Sequence, residues 1–400
     1  MNMLNPTNLI KLITFIGLIL YSKKLFLYNG YIHPFYLPNK KPILSIDKNK
    51  KKILKKGKKY LNKCLAFHTH IKYKRFLSSP KVTIIIPLYN CESTIRPSLH
   101  SVQFQNISNI EIIIINDFST DNTSKIIKFY QKYDSRIRII NNHKNMGTLY
   151  SRSIGALISK GEYIFNLDDD DLYFDNDILD YIFRIGKQES LDIISFLTVN
   201  IKKYNSKISK MENIFTYQYP NEFYLQQPEL GIWMVKFKNK FLVHNNMIWD
   251  KCIKTSIYKK AVNLMGFQKY SRYLSWAEDA SIIFIIFNLA KSFKNINKYG
   301  IFHFKGNNTA TKRQSNNTRI FGEIFFLDII FDFTKNDSED KNLIIGQAIY
   351  LFKRYNFYKF INDTNSYYLK IILNKIINYK YLSKLNTRKI KKIFSDFFIY

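Results

Sequence analysis

From residue 81 onward, short apolar runs alternate with segments whose apolar positions recur at helical spacing. The apolar runs are nearly continuous and rich in β-branched residues, as expected for strands that are covered on both faces. They occupy residues 82–90, 110–116, 136–140, 161–167 and 191–197. The helical segments between them occupy residues 93–106, 119–133 and 146–160. This alternation predicts an α/β fold with a mainly parallel sheet flanked by helices, whose ligands bind at the carboxyl ends of the strands.

Polar and acidic residues follow three of the predicted strands. The first strand ends in "PLYN" at 87–90, the second in "NDFS" at 116–119, and the fourth in four consecutive aspartates at 168–171. Because the carboxyl ends of parallel strands meet at one edge of a sheet, these residues are expected to lie together. The GxGxxG loop of dinucleotide-binding enzymes and the GxxxxGK[ST] loop of P-loop NTPases are both absent, which disfavours those two classes.

The four aspartates call for a compensating charge. Adjacent carboxylates raise one another's pKa unless a cation lies close by. Mg²⁺ or Mn²⁺ suits such a place, because it takes one or two carboxylates and completes its shell with water and substrate phosphate. The alternative is a solvated acidic loop that caps the next helix, where Asp175 and Asp177 also favour a helix start. The residue pattern alone leaves both interpretations open.

Composition and charge add limited information. The 400 residues, 46% of them hydrophobic, can bury a large core. The net charge of +32 suggests anionic partners, but Lys, Asn, Ile and Tyr are abundant throughout, as in an AT-rich coding sequence. The basic segment 47–63 suits a solvated helix face or an arm near a membrane and lacks the aromatic pattern of nucleic-acid binders, so no nucleic-acid partner is expected. Three cysteines without zinc spacing predict neither a disulfide framework nor a zinc site.

The strand-end motifs carry a family resemblance. "PLYN" is similar to P-x-Y-N, "NDFSTDNT" to D-D-G-S-x-D-x-T, "NMGTLYSRSIGALISKGEYI" to N-x-G-x-x-x-A-R-N-x-G-x-x-x-A-x-G-E-Y-I, and "LDDDD" to L-D-S-D-D. Together they resemble the nucleotide-sugar-binding half of family 2 glycosyltransferases with the GT-A fold. Further on, "NNMIWDKCIKTSIYKK", "WAEDASIIFIIF" and "GIFHFKGNNTATKR" resemble later segments of that family. The resemblance covers about residues 81–312.

The resemblance implies roles for individual residues. The donor pocket would be lined by Tyr89 and Asp117 at the base and ribose, with Asp117 accepting from a ring N–H such as that of uracil. Asp168 would bind ribose or metal, Asp170 would be the main metal ligand, and Asp279 would be the general base that deprotonates the acceptor. His303, Lys305 and Lys251 would face the diphosphate. The remaining residues assigned to substrate binding are Pro87, Asn90, Arg152 and Glu278.

Each assignment has a structural alternative. Glu278 and Asp279 also suit the first turn of a helix, where acidic residues interact favourably with the dipole. A single histidine such as His303 often serves packing, and lysines are often simply solvated. Among the departures of the sequence from the family pattern, four bear on the donor or its phosphates. Asn116 stands for the first Asp, Phe118 for Gly, Ser153 for Asn, and Lys305 for Arg, which leaves the choice of donor open.

The resemblance implies a metal-dependent, inverting glycosyltransferase, a hexosyl- or N-acetylhexosaminyl-transferase that uses Mn²⁺ or Mg²⁺. Its donor would be a nucleotide sugar, with UDP-sugars favoured, and its acceptor a hydroxyl on a glycan, lipid or protein. One alternative is a catalytically silent nucleotide-sugar-binding protein. Another is a basic protein that binds a membrane or nucleic acid. Because the aspartate run and Asp279 are both retained, the enzyme is favoured.

The predicted organisation has four parts. Residues 1–30 suit a signal anchor or signal peptide, although the apolar run is short for a membrane span and shows no evident cleavage site, so an amphipathic helix is also open. Residues 31–80 form a basic linker, residues 81–312 the GT-A domain, and residues 313–400 a helical extension that covers an acceptor cleft, rests on a membrane or serves packing. The expected location is a membrane, reached through a single N-terminal span, and the Golgi or endoplasmic reticulum if the chain is eukaryotic.

Overall fold

The structure is a computed structural model that describes residues 50–66, 79–202, 247–270 and 277–305, three short strands between 223 and 243, and isolated positions from 322 to 329. The predicted N-terminal anchor at 1–30 and nearly all of the predicted C-terminal extension at 313–400 lie outside the described residues. The helices are α1 (Lys50–Ala66), α2 (Ile95–Gln103), α3 (Thr123–Tyr133), α4 (Thr148–Ile158), α5 (Ile178–Gln188), α6 (Thr255–Met265), α7 (Phe267–Tyr270) and α8 (Glu278–Leu289). The strands are β1 (Val82–Leu88), β2 (Ile110–Asn116), β3 (Ile137–Asn141), β4 (Tyr163–Asn166), β5 (Leu172–Tyr173), β6 (Ile193–Lys202), β7 (Phe223–Gln226), β8 (Met234–Phe237), β9 (Lys240–Val243), β10 (Lys251–Lys254) and β11 (Ser292–Lys305).

The main sheet confirms the predicted α/β class, and its five predicted strands are β1, β2, β3, β4 and the first part of β6. The strand order is β3-β2-β1-β4-β10-β6-β11-β5, with β7 paired to β11. The first four strands are parallel, whereas β10 runs antiparallel to both β4 and β6. β11 returns parallel to β6 and pairs antiparallel with β5. The sheet is therefore mixed, with its parallel part in the half that the apolar runs predicted.

Helices cover both faces of β1 and β2, which explains why these strands are apolar at nearly every position. On one face, Ile84 and Ile86 belong to a core shared with Leu99 of α2 and Ile126 of α3. On the other face, α4 packs against β1 and β2. Burying one such aliphatic side chain contributes about 1.5–3 kcal/mol, so this two-sided core fixes the position of the strand ends.

The predicted basic linker contains a helix, α1. Its buried side chains Tyr60, Leu61 and Cys64 join a second core with Phe174 and Phe302, among others. The Tyr60 hydroxyl donates to the Ser101 carbonyl over 2.9 Å. The opposite face of α1 is basic, and Lys52, Lys55, Lys56, Lys58, Lys59 and Lys63 are exposed. Among the helices in the described part of the chain, none has the length and apolarity that crossing a bilayer requires.

Candidate functional site

The ends of β1 and β2 form the first part of the predicted donor site. Leu88 lies beside Asn116 in the parallel register, so the segments that follow leave the sheet side by side. Pro87 is buried within β1 and shapes the strand itself. Tyr89, which follows the strand, is 51% exposed. Asn90 adopts a left-handed conformation, and its side-chain oxygen accepts a 2.7 Å hydrogen bond from the Thr120 amide.

Asp117 is a buried carboxylate with a well-defined environment. It accepts hydrogen bonds from the side chain of Asn142 at 2.7 Å and from the amides of Met146 and Gly147 at 2.7 and 2.8 Å. These two amides lie at the start of α4, where the helix dipole favours a negative charge. Asp117, the residue predicted to contact the nucleobase, is thus held in place by three hydrogen bonds. A ring N–H of a nucleobase would share an oxygen that already holds the α4 entry in place.

The four aspartates after β4 take four different roles. Asp168 pairs with Arg152, and Asp169 accepts a 2.9 Å hydrogen bond from the Thr94 hydroxyl. Asp171 is fully buried and binds β11, as described below. Asp170 makes no hydrogen bond or ion pair with any residue that the structure describes. Asp170, the predicted main metal ligand, is therefore the aspartate of this run whose carboxylate has no partner among the described residues.

Burial and mutual repulsion dominate the electrostatics of this run. Burial, together with the charges of Asp171, Asp169 and Asp168, raises the pKa of Asp170 to about 9. Burial likewise raises the pKa of Asp169 to about 7. Such a carboxylate fits a divalent cation, which would favour its charged form. In the described part of the chain, no three His, Cys, Asp or Glu side chains form a ready-made metal cluster.

An ion-pair cluster around the buried guanidinium of Arg152 joins the aspartate run to Asp279, the predicted general base. Arg152 on α4 is 5% exposed; one guanidinium nitrogen donates to Asp168 at 2.6 Å and another to Asp279 at the start of α8. The second oxygen of Asp279 lies 3.4 Å from the Ile248 amide. Burial raises the pKa of Asp279, and the charge of Arg152 opposes this rise. Burial and the charge of Asp279 raise the pKa of Glu278 to about 7.

The three residues predicted to face the diphosphate have different surroundings in the structure. His303 is 3.0 Å from a carboxylate oxygen of Asp171 through its Nδ1 atom, and its ring stacks on Trp249 with 4.6 Å between centroids. Lys251, by contrast, is buried and donates to the Asp250 carboxylate at 2.7 Å and to the carbonyl of the residue at 247. The charge of Lys251 is thus paired with Asp250 inside the protein, and burial lowers the pKa of Lys251. Lys305 ends β11, and its side chain lies outside the described part of the structure.

Several contacts of the site could not be predicted from the motifs. β5 follows Asp171 directly and pairs antiparallel with β11, with Phe302 opposite Leu172, which brings His303 to the aspartate run. β10 places Cys252 opposite Phe165, so the residues just before this strand reach the carboxyl end of β4. Trp249 lies in the segment "NNMIWDKCIKTSIYKK", but the family resemblance assigned it no role. The Thr94 contact had no sequence signal, because its partner lies 75 residues away.

Comparison with known proteins agrees with this arrangement. Residues 83–260 match Glycosyl transferase family 2. An uncharacterised glycosyltransferase of Rickettsia bellii is 44% identical over 103 residues, which make up 26% of this chain and 15% of that protein. EpsJ, an uncharacterised glycosyltransferase of Bacillus subtilis, is 36% identical over 115 residues, 29% of this chain and 33% of EpsJ. The chain thus matches well under half the length of either relative.

A solved structure, S. aureus TarS 1-349 in complex with UDP-GlcNAc, superposes with a TM-score of 0.50 at 14% sequence identity, covering 74% of this chain and 79% of that one. At this identity the likeness concerns the fold. The family match includes Asp117, Arg152 and Asp168, while Asp279 and His303 lie beyond its end. Residues 83–260 are therefore similar to family 2 glycosyltransferases, and the fold is similar to that of TarS over 74% of this chain.

Proposed function

We propose that the protein is an inverting glycosyltransferase that moves a hexosyl or N-acetylhexosaminyl group from a UDP-sugar to a hydroxyl on a glycan, lipid or protein. The observation that carries this proposal is the ion-pair cluster in which Arg152 holds Asp168 and Asp279 together. It joins a carboxylate at the donor-binding strand end to one that can act as a base. UDP-GlcNAc, the ligand in the TarS crystal, supports the choice of donor.

In this mechanism Asp279 accepts the proton of the acceptor hydroxyl. The acceptor oxygen forms a bond to the anomeric carbon while the bond from that carbon to the diphosphate oxygen breaks. The nucleoside diphosphate leaves on the opposite side, so the configuration inverts. Arg152 favours the ionised form of Asp279 and orients its carboxylate, and Asp170 with Asp168 would hold the divalent cation. A bound Mn²⁺ or Mg²⁺ would neutralise charge on the departing diphosphate.

A silent nucleotide-sugar-binding protein is the second candidate, and one observation favours it. Both oxygens of Asp279 already have partners, Arg152 and the Ile248 amide. In an enzyme the acceptor hydroxyl must reach one of these oxygens alongside its present partner. In a binding protein the ion pair would serve the fold alone.

The deciding experiment is to incubate the protein with UDP-, GDP- and CMP-sugars, with and without Mn²⁺, and to measure nucleotide release and sugar transfer. We expect the Asp279→Asn variant to bind UDP like the parent but to transfer sugar at least about 100-fold more slowly, because it has no general base. Asp180→Asn is the matched control, since Asp180 pairs with Arg184 on the exposed face of α5 and should leave transfer unchanged. Equal transfer rates in Asp279→Asn and the parent would show that Asp279 is not the general base.

Chelation with EDTA tests the metal. We expect it to weaken UDP binding and abolish transfer, and we expect Asp170→Asn to show the same weak UDP binding when Mn²⁺ is present. Unchanged donor binding and turnover after chelation would contradict the assignment of Asp168 and Asp170. If the parent binds nucleotide sugars and never turns them over, the silent binding protein is the better description.

We further propose that the protein works at a membrane with anionic lipids. The apolar run at 9–21 and the lysine face of α1 support this placement. α1 contains no acidic residue, and Lys52, Lys55 and Lys59 have no acidic partner among the described residues. Lysines at these spacings repel one another, so an anionic surface would relieve an unfavourable interaction.

Co-sedimentation with vesicles tests this placement. We expect the full chain to bind phosphatidylserine-containing vesicles and the triple variant Lys52→Gln, Lys55→Gln, Lys59→Gln to bind them less. The matched control replaces Lys125, Lys128 and Lys132, which are exposed on α3, and should bind like the parent. Equal losses in both triple variants would mean that total charge matters and that α1 does not form a specific membrane-facing surface.

A further inference from the structure

Phe118 has a conformation and an exposure that the fold does not explain. Its φ angle is 67°, in the left-handed region that disfavours every residue with a bulky side chain. Its side chain is 51% exposed and makes no ring contact with any described residue. Burial therefore does not compensate for the unfavourable backbone. Strained residues of this kind persist only where their surroundings hold them, and they concentrate at functional sites.

Hydrogen bonds on both sides of Phe118 hold it in this conformation. The Asp117 amide donates to the Leu88 carbonyl at 2.8 Å, and the Ser119 amide donates to the side-chain oxygen of Asn116 at 3.2 Å. The Ser119 hydroxyl in turn accepts from the Asn90 amide at 3.0 Å. The loop is thus tied to the end of β1 as well as to β2. These hydrogen bonds fix the backbone on both sides of Phe118, whose side chain stays half exposed.

The neighbourhood of Phe118 is the donor edge of the sheet. Tyr89 follows β1 at the strand end that pairs with the end of β2, and it is also 51% exposed. Asp117, the residue before Phe118, has a buried carboxylate, and its amide donates to the carbonyl of Leu88, the residue before Tyr89. Two half-exposed aromatic side chains at adjacent strand ends, next to a hydrogen-bond acceptor, suit the chemistry of a nucleobase, which offers flat π-faces and a polar edge.

We infer that Phe118 contacts the nucleobase of the donor and, together with Tyr89, determines donor affinity and base preference. This inference rests on the proposed function and assigns a ligand contact to a position where the family pattern has glycine. A glycine there would relax the backbone and contribute no contact. Phe118 therefore provides binding surface at the expense of local backbone strain.

The test measures dissociation constants for UDP, GDP, CDP and inorganic diphosphate by calorimetry in the presence of Mn²⁺, together with melting temperatures. We expect Phe118→Leu to bind the preferred nucleotide about tenfold more weakly, because it keeps the strained backbone but has no aromatic face. Phe118→Tyr should bind like the parent. Phe118→Gly should also bind weakly, while its melting temperature equals or exceeds that of the parent. Binding of inorganic diphosphate should not change in any variant.

The matched control is Phe129→Leu, because Phe129 is 47% exposed and lies in the second turn of α3. It should bind all four ligands like the parent. If Phe118→Leu binds the nucleotide as tightly as the parent does, the inference is wrong while the proposed function stands. A parallel loss for nucleotide and diphosphate would also overturn it, since the loop would then act on the whole site. A parent protein that binds none of the nucleotides would overturn both proposals.

Discussion

Arg152 shows how one side chain can organise the candidate site. It is buried, yet its charge is balanced by carboxylates that arrive from the end of β4 and the start of α8. A buried ion pair is costly to desolvate, so its net contribution to stability is small while both partners are present. Its removal is different, because two carboxylates then remain close together without compensation.

We predict that Arg152→Met lowers the free energy of unfolding by about 2–4 kcal/mol and abolishes sugar transfer. Urea denaturation and the transfer assay measure the two effects. Arg184→Met is the control, since Arg184 forms an exposed pair with Asp180 and should change stability by less than about 1 kcal/mol. Similar losses in the two variants would show that the cluster is no more important than a surface ion pair.

At this scale the sequence marks candidate residues but not their partners. Asp168, Asp170 and Asp279 were predicted as site residues because strand ends and family motifs mark positions along the chain. The internal pairing of Lys251 with Asp250 was not, because a lysine in a basic chain has no local signal that distinguishes burial from solvation. The contact between Asp171 and His303 spans 132 residues and depends on the pairing of β5 with β11.

Among the elements, α4 links the sheet to the site. Its first residues follow the amides that bind Asp117, and its second turn carries Arg152. Gly155 lets the helix approach β1 closely, because a Cβ atom at this position would lie 2.7 Å from Cγ2 of Ile85. Close packing between helix and strand therefore sets the position of two groups of the candidate site, Asp117 and Arg152.

We predict that Gly155→Ala lowers the free energy of unfolding by about 1 kcal/mol, because overpacking against Ile85 outweighs the better helix propensity of alanine. In the background Ile85→Ala the clashing methyl groups are gone. There, the same glycine substitution should stabilise the protein. Urea denaturation of the four proteins in this double-mutant cycle gives the coupling free energy between positions 85 and 155. Additive effects would mean that the glycine is not needed for the packing.

The predicted elements also show where periodicity stops being informative. Five apolar runs and three helical segments were placed correctly, since strands covered on both faces have a strong local pattern. The partners of β10 and β11 were not predictable, because an apolar run indicates a strand but not its neighbour or direction. The mixed half of the sheet follows from these long-range pairings.

On the scale of the whole molecule, the chain divides into two compact units. One comprises Asn39–Phe326, and the other comprises Met1–Pro38 with Leu327–Tyr400. The first unit contains the main sheet, both hydrophobic cores and the candidate site. A unit with its own core is expected to fold independently.

We predict that a fragment of residues 39–326 folds cooperatively and binds UDP with the same dissociation constant as the full chain. Circular dichroism during thermal unfolding and calorimetry provide the two measurements. As a control, a fragment of residues 79–326, which has no α1, should be less stable because Leu61 and Cys64 no longer fill the second core. A 39–326 fragment that remains unfolded would contradict the independence of this unit.

The link from Arg152 to Asp279 also constrains how such proteins can be recombined. The two residues lie 127 positions apart, in the donor-binding half and in the segment that would face the acceptor. A chimera that joined the donor half of this chain to the acceptor half of a relative would need a carboxylate in register with Arg152. Without it, the guanidinium would meet no counter-charge on that side. We therefore expect a chimera that lacks this carboxylate to be less stable than the parent protein.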